Sequence, residues 1–259
     1  MNEETMVKVN SGEIPNTMMR RMLPLSTSGP RGQQHLHYFK VESKAPRNLV
    51  KTTFVMIHGL NRRRQSCMSW EELPDFFSRF GMVLALDLLG HGHSLPGAAH
   101  GDINQPYDVE LQVDAVLELL SVEAPNDGKL VFVGRSYGGY VSTKLCEGLK
   151  GSVLGLVLIA PMLENKEEFA PILENLPIFL MWAKEDMLIP FENSQLILGN
   201  CRKVQTLFID RINVPEDVRS KPSFKFMSHS PEITNKEEFS MQVTPWLREI
   251  LKFRGGVIA

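Results

Sequence analysis

Six short apolar runs constrain this 259-residue chain more than any other feature. They are Thr53-Phe-Val-Met-Ile57, Met82-Val-Leu-Ala-Leu86, Leu130-Val-Phe-Val133, Val153 to Ala160, Ile178 to Ala183 and Val204 to Ile209. None alternates strictly apolar with polar; the first four read as buried strands and the last two as further strands of a sheet covered on both faces. Most are separated by stretches with helical spacing. Trp70, Leu73, Phe76, Phe77 and Phe80 fall on one helix face, as do Val109, Val113, Val116, Leu117 and Leu120, and again Phe239, Val243, Trp246, Leu247 and Ile250. Buried strands alternating with helices require parallel β-α-β units, and hence an α/β, mostly parallel, doubly wound sheet flanked by helices. Residues 20–25 and 34–41 read as a further strand pair. Residues 1–19 read as a flexible extension, and 20–259, with no linker or repeat, as a single domain.

The apolar share of 43% and charged share of 22% are those of an ordinary globular protein. A net charge of −2 gives no electrostatic case for nucleic acid. Cys67, Cys146 and Cys201 are widely spaced, which argues against a disulfide framework or a thiolate metal site. The opening residues are acidic and lead into no apolar core, and no apolar run approaches the roughly 18 residues that span a bilayer. A reducing, cytoplasmic setting is the expectation.

Gly134-Arg-Ser-Tyr-Gly138 sits between a buried strand and a helix-like stretch. A serine there would occupy a sharp turn that lifts its hydroxyl clear of the sheet. Serine is a poor nucleophile until a base takes its proton and an acid orients that base. In open parallel sheets, sites form beyond the carboxyl ends of the strands. His229 is the only histidine after Ser136 and follows Phe224-Lys-Phe-Met227, read as a strand. Asp186 follows the run ending at Ala183 and is preferred as the acid over Glu185, Asp210 and Asp217. The bland alternatives are a helix N-cap for Ser136 or Asp186 and a surface-loop position for His229.

In its order of motifs the chain resembles the α/β-hydrolase superfamily over roughly residues 34–253. The motifs are His58-Gly59, Asp87-Leu-Leu-Gly-His-Gly-His-Ser94, the serine pentapeptide, Trp182-Ala-Lys-Glu-Asp186 with Pro190, and Ser228-His-Ser-Pro231 with Glu237-Glu238-Phe239. The resemblance implies Ser136 as nucleophile, His229 as general base and then acid, and Asp186 as its orienting acid. It also implies an oxyanion hole from the backbone N–H groups of Leu60 and Tyr137. A serine at 136 speaks against the dehalogenase and epoxide-hydrolase branches, whose nucleophile is a carboxylate. Only residues 162–177 lie between Pro161 and Ile178, where many members insert a cap, so a minimal cap and an open cleft are expected. The stretch from Asp186 to His229 exceeds one strand and a turn; its surplus, residues 211–222, reads as an irregular loop and a candidate lid.

His58 reads as a packed residue beneath the site, with Asn61, Met162 and Met187 as candidate pocket residues beside it. The pairs His35/His37 and His91/His93 lack a third metal ligand nearby in sequence. No metal or organic cofactor is implied. Arg62, Arg63 and Arg64 read as a solvated cluster, or else as a rim for an anionic substrate. Arg135 reads as pointing away from the site. The expected function is hydrolysis of a small or medium carboxylic ester or thioester through an acyl-enzyme on Ser136. The alternatives are acyl transfer, amide hydrolysis or deacylation by the same residues, or a slow-turnover ligand-binding or interaction protein.

Overall fold

A computed structural model describes residues 18–29, 32–45, 51–60, 66–94, 108–149, 151–163, 171 and 173–252. Its internal contacts divide the chain into two compact units, Met1–Lys129 and Leu130–Ala259. The arginine cluster at 62–64, Asn61 and most of the 1–19 extension lie outside the described residues. Met18 and Met19 are already strand.

In the first unit the strands run in the order β1 (Met18–Gly29), β2 (Gly32–Val41), β4 (Met82–Leu86), β3 (Thr52–Ile57). The hairpin β1/β2 is antiparallel, with Leu23 opposite Leu36, and β2 meets β4 antiparallel, with Tyr38 opposite Leu86. β3 and β4 are parallel. Every residue of β3 is buried, as expected of a strand covered on both faces. Helix α2 (Val109–Glu123) is fastened to the hairpin by its last residue. Glu123 accepts hydrogen bonds from Tyr38 Oη at 2.6 Å and Arg21 Nη1 at 2.9 Å, and pairs with Lys40 at 3.0 Å. The helix expected over 70–80 is divided. Trp70 ends a 3-10 turn, Cys67–Trp70, and Glu71 at φ 50° breaks the chain before α1 (Leu73–Ser78).

The second unit is parallel throughout, in the order β5 (Lys129–Arg135), β6 (Val153–Ile159), β7 (Ile178–Ala183), β8 (Val204–Ile209). Among the described residues its helices include α3 (Tyr137–Gly148), α4 (Ser194–Leu198), α5 (Glu216–Arg219), α6 (Phe224–Ser228), α7 (Pro231–Thr234) and α8 (Lys236–Lys252). The face of α8 named from its spacing is buried: Phe239, Val243, Trp246, Leu247 and Ile250. Phe179 of β7 meets Phe239 and Trp246 at ring-centroid distances of 6.0 and 5.9 Å. Burying each such aromatic stabilises by about 1.5–3 kcal/mol.

Two expectations need correcting here. Phe224–Ser228 is a short helix, not a strand; its apolar residues pack a helical turn rather than a sheet. Residues 211–222 are not irregular throughout, because α5 forms within them and is held to the rest of the unit. Arg219 donates to both oxygens of Glu185 and to the carbonyl of Ile212, and lies 5.4 Å from the centre of the Phe224 ring.

Candidate active site

Ser136 sits where β5 ends and α3 begins, with φ 54° and ψ −122°. An L-residue reaches that conformation only under strain, on the order of 1–3 kcal/mol. The turn is fixed by backbone bonds on every side. Ser136 N–H donates to Ile159 of β6, and its carbonyl accepts from Gly139 and Met162, each at 2.9 Å. Two glycines make room for it. A Cβ on Gly134 would come within 2.5 Å of the Gly138 carbonyl, and one on Gly139 within 2.6 Å of Pro161 Cβ. Ser136 holds the N-cap position of α3, yet its side chain makes no capping hydrogen bond. The capping alternative therefore does not account for a serine here. Tyr137, its N–H in the first turn of α3, is buried.

Asp186 lies three residues past the end of β7. One carboxylate oxygen, Oδ1, accepts the backbone N–H of Leu188 at 2.8 Å and of Ile189 at 3.0 Å. The other, Oδ2, accepts Nδ1–H of His229 at 2.7 Å. The N-cap alternative does not hold, because the next helical turn begins only at Phe191 with Pro190 before it; Asp186 instead fixes the bend at 187–189 with one oxygen and His229 with the other. The three rival acids are occupied elsewhere: Glu185 by Arg219, Asp210 by Lys184 and Asp217 by Lys221. His229 is buried in the turn between α6 and α7. Beside it Ser228 Oγ accepts Met187 N–H at 3.1 Å, tying the histidine's turn to that of the acid. With Nδ1 donating to Asp186, Nε2 is the ring nitrogen left to accept a proton.

Of the candidate pocket residues in this unit, Met162 is half-buried and Met187 is 58% exposed. His58 and Leu60 belong to the first unit. Leu60 is exposed just after β3. His58 is fully buried, donates from Nδ1 to the Gly59 carbonyl at 2.8 Å and accepts Leu88 N–H on Nε2 at 3.1 Å. Both ring nitrogens are thereby engaged, and the residue serves as scaffold.

The first unit also brings together donor atoms that spacing did not connect. His37, Cys67 and Asp87 present potential metal ligands within 4.8 Å of one another. Their hydrogen bonds already use these atoms. Arg20 Nε donates to His37 Nε2 at 2.7 Å, leaving His37 Nδ1–H to donate to Asp87 at 2.8 Å. Asp87 also accepts the backbone N–H groups of Cys67 and His93. Burial works to raise the Asp87 carboxyl, but these hydrogen bonds prevail and hold it well below the usual range. Burial and the neighbouring Asp87 push the Cys67 thiol well above its ordinary value. A protonated thiol and a carboxylate already saturated with donors make a hydrogen-bonded brace for the 87–94 loop.

Arg135, read from the sequence as pointing away from the site, instead contacts the turn that carries His229. It is 1% exposed, and its guanidinium reaches the residues that follow His229 in the chain. Nη1 donates to Glu232 Oε1 at 2.5 Å and to Ser230 Oγ at 3.2 Å. An arginine immediately before the serine was the one available signal, since a cation beside a buried strand end needs an anion.

A mostly parallel sheet with the serine on a strained strand-to-helix turn, and an acid and histidine beyond later strands, is the α/β-hydrolase fold. Residues 49–227 match the family of serine aminopeptidases S33, and the chain belongs to it. Among curated proteins, the lipase LipV of Mycobacterium tuberculosis is 39% identical over 105 residues, 40% of this chain and 35% of the lipase. The match thus spans about a third of that relative's length. Solved structures show the same fold at low identity. A serine hydrolase from the hydrocarbon-degrading bacterium Cycloclasticus zankles aligns with TM-score 0.64 and 14% identity, covering 91% of this chain and 99% of that one. An esterase from Thermogutta terrifontis aligns with TM-score 0.63 and 15% identity, covering 90% and 100%. No helix among the described residues is long and apolar enough to cross a membrane.

Proposed function

We propose that this chain is a serine hydrolase acting on a small or medium carboxylic ester or thioester through an acyl-enzyme on Ser136. The observation that carries the reading is the 2.7 Å bond from His229 Nδ1 to Asp186, which leaves Nε2 as a base. His229 takes the Ser136 proton as Oγ attacks the carbonyl carbon. The tetrahedral intermediate collapses, and His229 returns the proton to the departing alcohol or thiol. Water, deprotonated by the same nitrogen, then releases the acid and frees the serine. Asp186 keeps the imidazole in the productive tautomer and balances its positive charge. The backbone N–H of Tyr137, in the first turn of α3, steadies the oxyanion in this reading, with that of Leu60 as the other expected donor. No step requires a metal or organic cofactor.

Esters are favoured by the similar lipase and esterase. The family's description as serine aminopeptidases favours a second reading, hydrolysis of an amide by the same residues. A fluorophosphonate probe tests the shared chemistry: it should label the wild type and spare Ser136→Ala. Equal labelling of that variant, or none of the folded wild type, sinks the proposal. Parallel assays on p-nitrophenyl esters of increasing chain length, acyl thioesters and aminoacyl p-nitroanilides separate the two readings.

A further inference from the structure

We propose that Arg135 and Glu232 form a positioning pair for His229, fixing the base relative to Ser136 and setting the charge that surrounds its ring. The proposal rests on the reading of Ser136, His229 and Asp186 as the reacting groups. Arg135 is the last residue of β5, directly before Ser136, and its backbone is registered against Ile159 of β6. Its guanidinium holds both Ser230, the residue after His229, and Glu232 on α7. One side chain therefore links the strand that presents the nucleophile to the turn that presents the base, across 97 positions of sequence.

Packing alone does not explain the pair. Taking both charges out of water is expensive, and apolar side chains of similar volume commonly do as well or better for stability. What the pair supplies is charge at a defined place. Glu232 is fully buried, and its Oε2 has no hydrogen-bond partner among the described residues. Burial prevails and pushes its carboxyl above the ordinary carboxylate value, while Arg135 first and His229 to a smaller extent pull it back toward the ionised form. Glu232 and His229 thus lie within electrostatic reach of one another.

The remaining charged groups on the surrounding elements are accounted for. Asp186 bonds His229 directly, and Glu185 beside it is paired with Arg219. Lys225 on α6 and Lys236, Glu237 and Glu238 at the start of α8 are exposed, where water screens them. Among the described residues of this unit, Asp186, Glu232 and Arg135 are the charged side chains shielded from solvent near the base in sequence or contact. Arg135 balances Glu232, so the imidazolium formed in each half-reaction faces one uncompensated carboxylate, that of Asp186.

The test is the pH dependence of kcat/KM on a p-nitrophenyl ester, with fluorophosphonate labelling run alongside. Glu232→Gln keeps the shape but leaves the Arg135 cation unbalanced near the ring. The imidazolium is then disfavoured, and the acid limb should move down by about one pH unit, with kcat reduced and KM little changed. The double variant Arg135→Gln/Glu232→Gln removes both charges and should return the limb toward the wild-type position. A lowered rate or melting temperature with an unmoved limb overturns the proposal, because packing without charge would give that result. Should Glu232→Gln fail to fold, Arg135→Gln carries the test. It removes the cation and leaves the Glu232 carboxylate unbalanced near the ring, so the acid limb should move up by about one pH unit; an unmoved limb overturns the proposal. Wild-type protein that labels at Ser136 while the limb stays fixed refutes the pair alone, whereas wild-type protein that does not label refutes the serine reading beneath it.

Discussion

Arg219 holds both carboxylate oxygens of Glu185, at 2.9 and 3.1 Å, while the next residue, Asp186, is left to His229. Two adjacent acids after one strand are thus given different partners. The same guanidinium binds the Ile212 carbonyl at 2.7 Å, so α5 is held against the acid's turn. Arg219→Gln should lower stability by about 1–2 kcal/mol, the scale of a few charge-assisted hydrogen bonds. Calorimetry should then show the melting temperature falling by roughly 3–6 °C. An unmoved melt would mean that residues 211–222 are held by other contacts.

Asp186→Asn separates the two jobs of that side chain. The amide oxygen can still accept Leu188 and Ile189 N–H, so the turn should persist. The wrong tautomer of His229 is then favoured, and kcat/KM on an activated ester should fall on the order of 10³–10⁴-fold. Glu185→Gln should stay within about tenfold of wild type. Comparable losses in both variants would contradict the assignment of the acid.

The strained backbone at Ser136 predicts an unusual order of stabilities. Ser136→Gly and Ser136→Ala both remove the hydroxyl, but only glycine is at ease at φ 54°. Relief of strain should outweigh glycine's larger chain entropy, making the glycine variant more stable than the alanine variant by about 1 kcal/mol. Urea denaturation decides the order, and the reverse ranking would show that the turn is not strained.

Asp87 sets an acid limit on the first unit. Its folded carboxyl is depressed despite burial, because His37 and the amides of Cys67 and His93 hydrogen-bond to it. The unfolded carboxyl begins to take up this proton below about pH 5 and is half-protonated near pH 4, while the folded one resists until lower pH. The contribution is therefore complete above about pH 5 and lost progressively below it. Asp87→Asn should be less stable at neutral pH and lose less on acidification. Equal slopes of unfolding free energy against pH between 4 and 2 would refute the assignment.

The strands were legible because residues covered on both faces cannot alternate with polar ones, and β3, β6 and β7 are buried from end to end. α8 was legible for the complementary reason, since its apolar residues recur on one face. The short elements before His229 were not. α5 has only four residues and no buried one, so no periodicity marks it; what holds it is the pairing of Arg219 with Glu185. The run Phe224-Lys-Phe-Met227 alternates like a strand yet folds as α6, since tertiary context overrides so brief a pattern. Of the candidate site, the serine turn and the order of acid and histidine stood in the sequence. The pairing of Arg135 with Glu232 did not, because contacts across such a separation leave no local signature.

Trp182, wholly buried in β7, donates its indole N–H to the Ile189 carbonyl at 3.2 Å, on the far side of the turn that Asp186 closes. The chain therefore carries its own optical probe of that turn. With Trp70 and Trp246 replaced by phenylalanine, emission from the remaining indole would report whether the acid's loop is shut. A red shift on adding denaturant, arriving before global unfolding, would time its opening separately from the melting of the sheet.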